Sequence, residues 1–322
     1  MSFSKAKEKW SMPINEVTIG ATEEQGGTRK KILKVGGAGG LPYIHFEGPT
    51  PNNTVVAMEI LDRVPEDWPP QLLEALGNAV NSPAEWAEAC VNKFGADCIM
   101  IRLVNTHPDD GNSTPEEAAA IVKSVLEAVT VPLIVLGSDN DEKDNIVLPA
   151  ASQAAKGERC LFGTVKENNY KTLCASCLAD GHNLIGESPI DINIAKQVNI
   201  LCSDMGFPID RLVMYQTTGG LGYGIEYNYS IMERGRTAAL SGDKMMSLPV
   251  ICLIGQEAWR AKEAKASAKE FPAWGDENKR GIYWELATAS VLLQAGADIM
   301  VMRHPEAVKG LHTTINELMK TN

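Results

Sequence analysis

Four glycines in six positions, Gly219, Gly220, Gly222 and Gly224, stand at the head of the stretch TTGGLGYGIEYNYSIMERGR between Thr217 and Arg236. Glycine tolerates positive φ and lets a ligand or another stretch of backbone approach closely, and the helix pattern that follows offers free N–H groups to an anion. Thr217, Thr218, Gly219, Gly220, Leu221, Gly222, Tyr223 and Gly224 therefore form a candidate binding loop, suited to a phosphate, a ligand amide or simply a tight turn. It is no nucleotide fingerprint, because it lacks both the P-loop Lys-Ser/Thr and a G-x-G-x-x-G with its acidic partner. A second set of polar residues closes apolar runs elsewhere in the chain: Glu59, Asp62, Arg102, Asn105, Ser138, Asp139, Glu187, Ser188, Gln256, Arg303 and His304. Carboxylates in such a set could act as acid and base, yet a carboxylate at a strand end is as often a helix cap or an arginine partner. Threonine and glutamine near the glycine loop favour hydrogen bonding over proton transfer.

Metal and nucleophile patterns are sparse. Cys174 and Cys177 match C-x-x-C, but no second pair follows at zinc spacing, so they read as ordinary thiols. His107, Asp109 and Asp110 could hold a divalent ion, although a polar turn ahead of a helix opened by Pro115 accounts for the same residues. No G-x-S-x-G elbow is present, and His45 in YIHFEG reads as structural.

The polar residues need a scaffold, and the chain supplies a regular one. Eight short apolar runs begin at Thr54, Cys98, Pro132, Cys160, Asn183, Arg211, Pro249 and Asp298, each followed by a helix-length segment. Several helices open at Pro83, Pro115 and Pro305 or close at Gly95, Gly181 and Gly206. Eight strand–helix units whose strands are apolar throughout predict an α/β fold, a (β/α)8 TIM barrel over residues 54–322. Residues 1–53 carry EVTIG and KILKVGG around a glycine-bearing turn, which predicts an N-terminal β-hairpin extension that caps the barrel bottom. Segment 63–81 reads as a loop, and 262–280 as a polar insertion before the last long helix. In such a barrel ligands gather at the C-terminal ends of the strands, which is where the polar set and the glycine loop fall.

The 322 residues carry a net charge of −11, with no basic run, so nucleic acid is not an expected partner. No apolar run reaches the roughly 20 residues of a membrane helix. The charged first residues carry no secretory signal and the odd count of 7 cysteines suggests reduced thiols, so a cytoplasmic location is expected.

The stretch TTGGLGYGIEYNYSIMERGR, with ALSGDKMMSLPVICLIGQEAWRAKEA, MRHPEAV, GATEEQGGTR, HFEG, ENNYKTL and SPIDINIAKQVNIL, resembles the small subunit of the corrinoid iron–sulfur protein, the delta subunit of acetyl-CoA decarbonylase/synthase. The likeness covers essentially the whole chain. It implies a barrel that pairs as a heterodimer with a large subunit carrying a corrinoid domain and the iron–sulfur cluster, so that this chain holds no cluster of its own. It implies cobalamin shared at the interface, with Thr217–Gly224, Gln256, Arg303 and His304 as corrin-side residues. The further partners implied are a methyltetrahydrofolate methyltransferase as methyl source and acetyl-CoA synthase/CO dehydrogenase as acceptor, with the barrel a non-autonomous part of the transfer. One departure stands out: Tyr215 and Gln216 occupy places where the family pattern often has Asp-Pro, which removes a carboxylate. Two alternatives are an autonomous pterin-dependent methyltransferase and a purely structural scaffold.

Overall fold

The computed structural model describes residues 6–320. Two short strands, β1 (Glu16–Ile19) and β2 (Leu33–Gly36), pair antiparallel as the expected hairpin. Eight more run parallel: β3 (Val55–Leu61), β4 (Cys98–Arg102), β5 (Leu133–Leu136), β6 (Leu161–Val165), β7 (Asn183–Glu187), β8 (Leu212–Tyr215), β9 (Ile251–Cys252) and β10 (Ile299–Met302). Their order is that of a closed barrel, with β10 against β3 and a parallel bridge from Met214 to Val250 joining the last edge. The helices between and after them are α1 (Pro70–Leu76), α2 (Pro83–Asn92), α3 (Pro115–Ala128), α4 (Asp141–Ala154), α5 (Tyr170–Asp180), α6 (Ile192–Asp204), α7 (Ile225–Leu240), α8 (Ile254–Arg260), α9 (Lys262–Lys265), α10 (Glu277–Gln294) and α11 (Pro305–Leu318).

Strand alternation divides the core in two. Val55, Ala57, Cys98, Met100, Ile299 and Val301 point into the lumen, while Val56, Met58, Ile99, Ile101, Met300 and Met302 face the helices. Val17, Ile19, Leu33 and Val35 of the hairpin belong to the lumen cluster, so the hairpin stoppers the barrel at the N-terminal ends of its strands. Backbone bonds fix it there, Gly20 N–H to Arg159 O at 2.9 Å and Lys30 N–H to Thr130 O at 3.0 Å. The buried Arg29 guanidinium pairs with Glu158 at 2.8 Å and caps the Leu126 carbonyl at the end of α3.

Two segments differ from the reading of the sequence. Residues 63–81, expected as loop, contain α1 and a following 3-10 turn, because Leu72, Leu76 and Val80 recur at helical spacing and bury against the core. β9 ends after two residues and the chain turns at once into α8, so Gln256 sits in the first turn of a helix rather than in a loop. Gly255 allows that turn: a Cβ there would fall 2.8 Å from the backbone nitrogen of Arg303.

Ile19 is fully buried, and Ile19→Ala should cost about 2–5 kcal/mol of stability. Ile146 on α4 is 61% exposed, and Ile146→Ala should stay within about 0.5 kcal/mol. Urea midpoints of the two variants against the parent test whether the hairpin is part of one cooperative core.

Candidate functional site

The inward phase of the strands that carries Val55 and Ala57 carries Glu59 next, and the same phase on β4 and just beyond β10 delivers Arg102 and Arg303. These strands are neighbours, so one carboxylate meets two guanidiniums at the C-terminal mouth. Arg102 Nε donates to Glu59 Oε1 at 3.0 Å, and Arg303 Nε donates to Oε2 at 2.5 Å. Burial by itself would push the Glu59 carboxyl up, but Arg303 and Arg102 outweigh it and hold it below its ordinary value. Arg102 also donates to Gln256 Oε1 at 2.6 Å, and the Arg303 guanidinium lies 4.4 Å from the ring centre of Trp68.

A second buried carboxylate holds the end of β10 in place. Glu285 on α10 accepts the Arg303 N–H at 2.5 Å, the His304 N–H at 3.1 Å and the Trp259 indole N–H at 2.7 Å. Its burial is complete and pushes its pKa up to about 7 in spite of these donors. His304 caps α11, its Nδ1 accepting the Glu306 N–H at 3.1 Å, and burial holds the imidazole below its usual pKa. It is therefore a neutral cap stacked on Trp259, with ring centres 5.9 Å apart.

On the other side of the mouth Glu187 accepts the Thr164 hydroxyl, and burial raises its pKa. Asp144 accepts the Ser138 N–H at 2.8 Å and the Asp139 N–H at 3.1 Å, folding the loop after β5 over the strand ends. Asp62 accepts the Asn105 N–H at 2.9 Å and is pushed up to about 6 by burial. What space is left between Arg102, Asp139, Glu187, Tyr215 and Gln256 is a cavity of about 30 Å³. That is room for a water or two.

The glycine loop lies beside this closed floor and is bonded mostly to itself and its supports. The Thr217 hydroxyl donates to Ser188 O at 2.8 Å, and the Thr218 hydroxyl accepts the Leu253 N–H at 2.7 Å. Gly219 has no room for a Cβ, which would fall 2.5 Å from the carbonyl oxygen of Gly224. Gly222 and Gly224 adopt φ of +74° and +93°, the left-handed region that glycine fills without strain. Trp284 braces the turn by donating its indole N–H to Leu221 O at 3.1 Å, and Thr288 accepts the Leu221 N–H at 3.4 Å. Gly222 and Tyr223 are exposed, with Leu221 and Gly224 half-buried beside them.

The structure thus gathers Gln256, Arg303 and the 217–224 loop at the mouth, and places His304 behind it as a helix cap. Tyr215 points into the lumen with its phenol pKa raised by burial, and Gln216 points outward, buried with neither amide atom bonded among the described residues. Cys174 and Cys177 lie in the core on α5, and Asp110 pairs with Arg63. Among the described residues no three His, Cys, Asp or Glu side chains gather as they would around a metal ion. Glu285, Trp259 and Trp68 were not singled out from the sequence, although a Glu flanked by Trp284 and Leu286 was a usable signal.

Barrels of this build are found among the dihydropteroate synthases. The enzyme from Coxiella burnetii in complex with pteroic acid superposes with a TM-score of 0.57 at 12% identity, covering 87% of this chain and 97% of that one. The 7,8-dihydropteroate synthase from Vibrio fischeri ES114 gives 0.57 at 15% identity over 86% and 97%. At that identity the likeness defines the fold alone. Sequence places the chain more narrowly. Residues 16–315 match the family model for the CO dehydrogenase/acetyl-CoA synthase delta subunit. The acetyl-CoA decarbonylase/synthase complex subunit delta of Methanosarcina mazei is 37% identical over 97% of this chain and 72% of its own length. That of Archaeoglobus fulgidus is 35% identical over 98% and 71%. The chain belongs to this delta-subunit family.

Removing the shared carboxylate should be severe. Glu59→Gln leaves two half-buried guanidiniums without their counter-charge and should cost about 3 kcal/mol, read as a shift in the urea midpoint. The raised carboxyls act in the opposite sense to Glu59. Glu285 is held at about 7 against an ordinary 4.5, and Asp62 at about 6 against 3.8, so the native state keeps protons that the unfolded chain releases. Their contribution is full below those ordinary values and is lost as pH rises through the native ones. The share of the unfolding free energy that these two groups carry should fall from pH 5 to pH 8, so Glu285→Gln, though less stable overall, should lose less stability than the parent over that range.

Proposed function

We propose that this chain is the small barrel subunit of a heterodimeric corrinoid iron–sulfur protein, and that its mouth forms one side of a cobalamin site completed by the large subunit. The observation that carries this reading is the pairing of a closed floor with an outward-facing glycine turn. A barrel filled to the strand ends cannot bury a ligand, but it can present a firm surface to a flat one. At the turn, Gly222 and Gly224 carry no side chain to hold a macrocycle away, and Leu221 and Tyr223 supply apolar contact.

In this reading Leu221, Gly222, Tyr223 and Gly224 hold the corrin, with Gln256 and Arg303 at its edge. Thr217, Thr218, Gly219 and Gly220 shape the turn, and His304 fixes the chain behind Arg303. When bound, the corrin supplies a cobalt centre that accepts and releases a methyl group, and the protein around it supplies orientation and shelter from water. The Glu59–Arg102–Arg303 clamp serves the second task, because its donors and acceptors are already paired and leave a cavity of only about 30 Å³. The methyl donor would be methyltetrahydrofolate on a separate methyltransferase and the acceptor acetyl-CoA synthase/CO dehydrogenase, all in the cytoplasm. The iron–sulfur cluster would belong to the large subunit.

The reading as an autonomous pterin-dependent methyltransferase is disfavoured by the same floor. Pockets that enclose small organic ligands run to about 300–1,000 Å³. The isolated chain should therefore bind methyltetrahydrofolate no tighter than about 1 mM by calorimetry.

Co-expression with the large subunit tests the main proposal. The chain alone should be colourless and the heterodimer should carry the visible corrin spectrum. Leu221→Glu, on the half-exposed tip, should leave the heterodimer intact by sedimentation and lower corrin retention about tenfold. Full retention in that variant would reduce the barrel to a scaffold.

A further inference from the structure

On the helix side of β8 lie three buried polar atoms that meet no partner among the described residues: Oε1 and Nε2 of Gln216, and Nη1 of Arg236. Gln216 is 2% exposed and Arg236 8%. Both side chains line one cavity of about 10 Å³, walled otherwise by apolar groups such as Met214, Met232, Met246 and Leu248. A volume of that order takes a single water.

The surroundings hold both side chains in place. Gln216 follows β8 directly, and its carbonyl accepts the Asn228 side-chain amide of α7 at 3.4 Å. Asn228 Oδ1 in turn accepts the Gly219 N–H at 3.3 Å, so the residue beside the cavity is also the one from which the glycine turn departs. Gly235, further along α7, leaves the Gln216 amide its room: a Cβ there would stand 3.7 Å from Nε2. The Arg236 guanidinium is committed through Nη2, which donates to Gly296 O at 2.8 Å and lies 3.6 Å from the Asp298 carboxylate. Nη1 is left over.

Hydrogen-bonding chemistry and size select the occupant together. Gln216 offers an acceptor as well as donors, whereas Arg236 offers donors alone. A cation is repelled by the guanidinium, and an anion would face the Gln216 carbonyl oxygen after shedding its hydration among methionine and leucine side chains. Water both donates and accepts, and it fits. An amide enclosed dry would instead leave both of its polar atoms unmet in apolar surroundings, each at a cost. We propose that this cavity is a binding site for one structural water, bonded to the Gln216 amide and the Arg236 guanidinium. The water joins the end of β8 to α7 outside the barrel lumen, at a place that neither the Glu59 clamp nor the glycine turn reaches.

A high-resolution crystal structure of the full chain is the direct test. One density peak of oxygen strength should stand within hydrogen-bond distance of the Gln216 amide and the Arg236 guanidinium. Gln216→Met, similar in length and without an amide, should lose that peak, and the long-lived internal waters counted by water relaxation dispersion should drop by one. The same variant strips the water of its main partner and leaves Arg236 Nη1 unmet, so its urea midpoint should fall by about 0.5 M. A parent without the peak would overturn the proposal, and so would a midpoint that rises in Gln216→Met because two unmet groups have gone. A peak heavier than oxygen, with anomalous signal, would assign a halide and overturn the water equally. Density in the parent decides the matter even where the variant does not fold.

Discussion

The Glu59 carboxylate is the constraint around which the mouth of this barrel is arranged. A carboxylate fully removed from water stays ionised only against nearby positive charge, and here the lumen phase of two neighbouring strands supplies it from both sides. Once Arg102 and Arg303 are committed, their remaining donors and faces recruit Gln256 and Trp68. The position of Arg303 in turn requires that the backbone leaving β10 be held, and Glu285 holds it from α10 with Trp259 as a further donor. Each polar group in the chain of contacts settles the next, and the result is a floor rather than a pocket. A shared carboxylate of this kind is poor evidence for added stability, since an apolar filling of the same volume would cost less to desolvate. Its value lies in fixing one geometry for the surface above it.

That geometry gives the glycine turn its meaning. Of its four glycines, Gly219 answers an internal demand, because the carbonyl of Gly224 occupies the place of its side chain. Gly222 and Gly224 answer a backbone demand for positive φ. The turn is therefore over-determined by its own packing, and its flat outer face is a by-product available to a ligand. Trp284, which fixes the turn from beneath, also lines a groove of about 430 Å³ together with Trp274 and Tyr283. One side chain thus links the two outward features of the mouth, and any partner that seats on one is placed with respect to the other.

Much of this was legible in the sequence, for a physical reason. Parallel strands buried on both faces leave continuous apolar runs, so the eight strands and the barrel could be read by counting, and the hairpin stood out through its alternating Val17, Ile19, Leu33 and Val35. The closing of the mouth could not be read that way. Glu59 and Arg303 lie 244 residues apart, and their meeting depends on barrel closure between β10 and β3. Gln256 misled in a simpler way: the apolar run PVICLIG continues through a strand-to-helix turn, and nothing local shows that β9 stops after Cys252. Segment 63–81 was obscured by its prolines, although Pro70 at the first position of α1 is where a helix accepts one. Glu285 left one trace, a charge between Trp284 and Leu286, but the donors that hold it come from Trp259 and from the chain after β10, which no local pattern shows.

The insertion and the floor solve the same physical problem in different ways. Both must hold polar atoms away from water at the edge of a surface meant for contact. The floor does so with paired charges, Glu59 between two arginines, whereas the insertion satisfies Arg280 with four backbone carbonyls. In both places every donor of a buried guanidinium that the fold commits is met by an acceptor of the chain itself, so each surface keeps one geometry whether or not anything is bound to it.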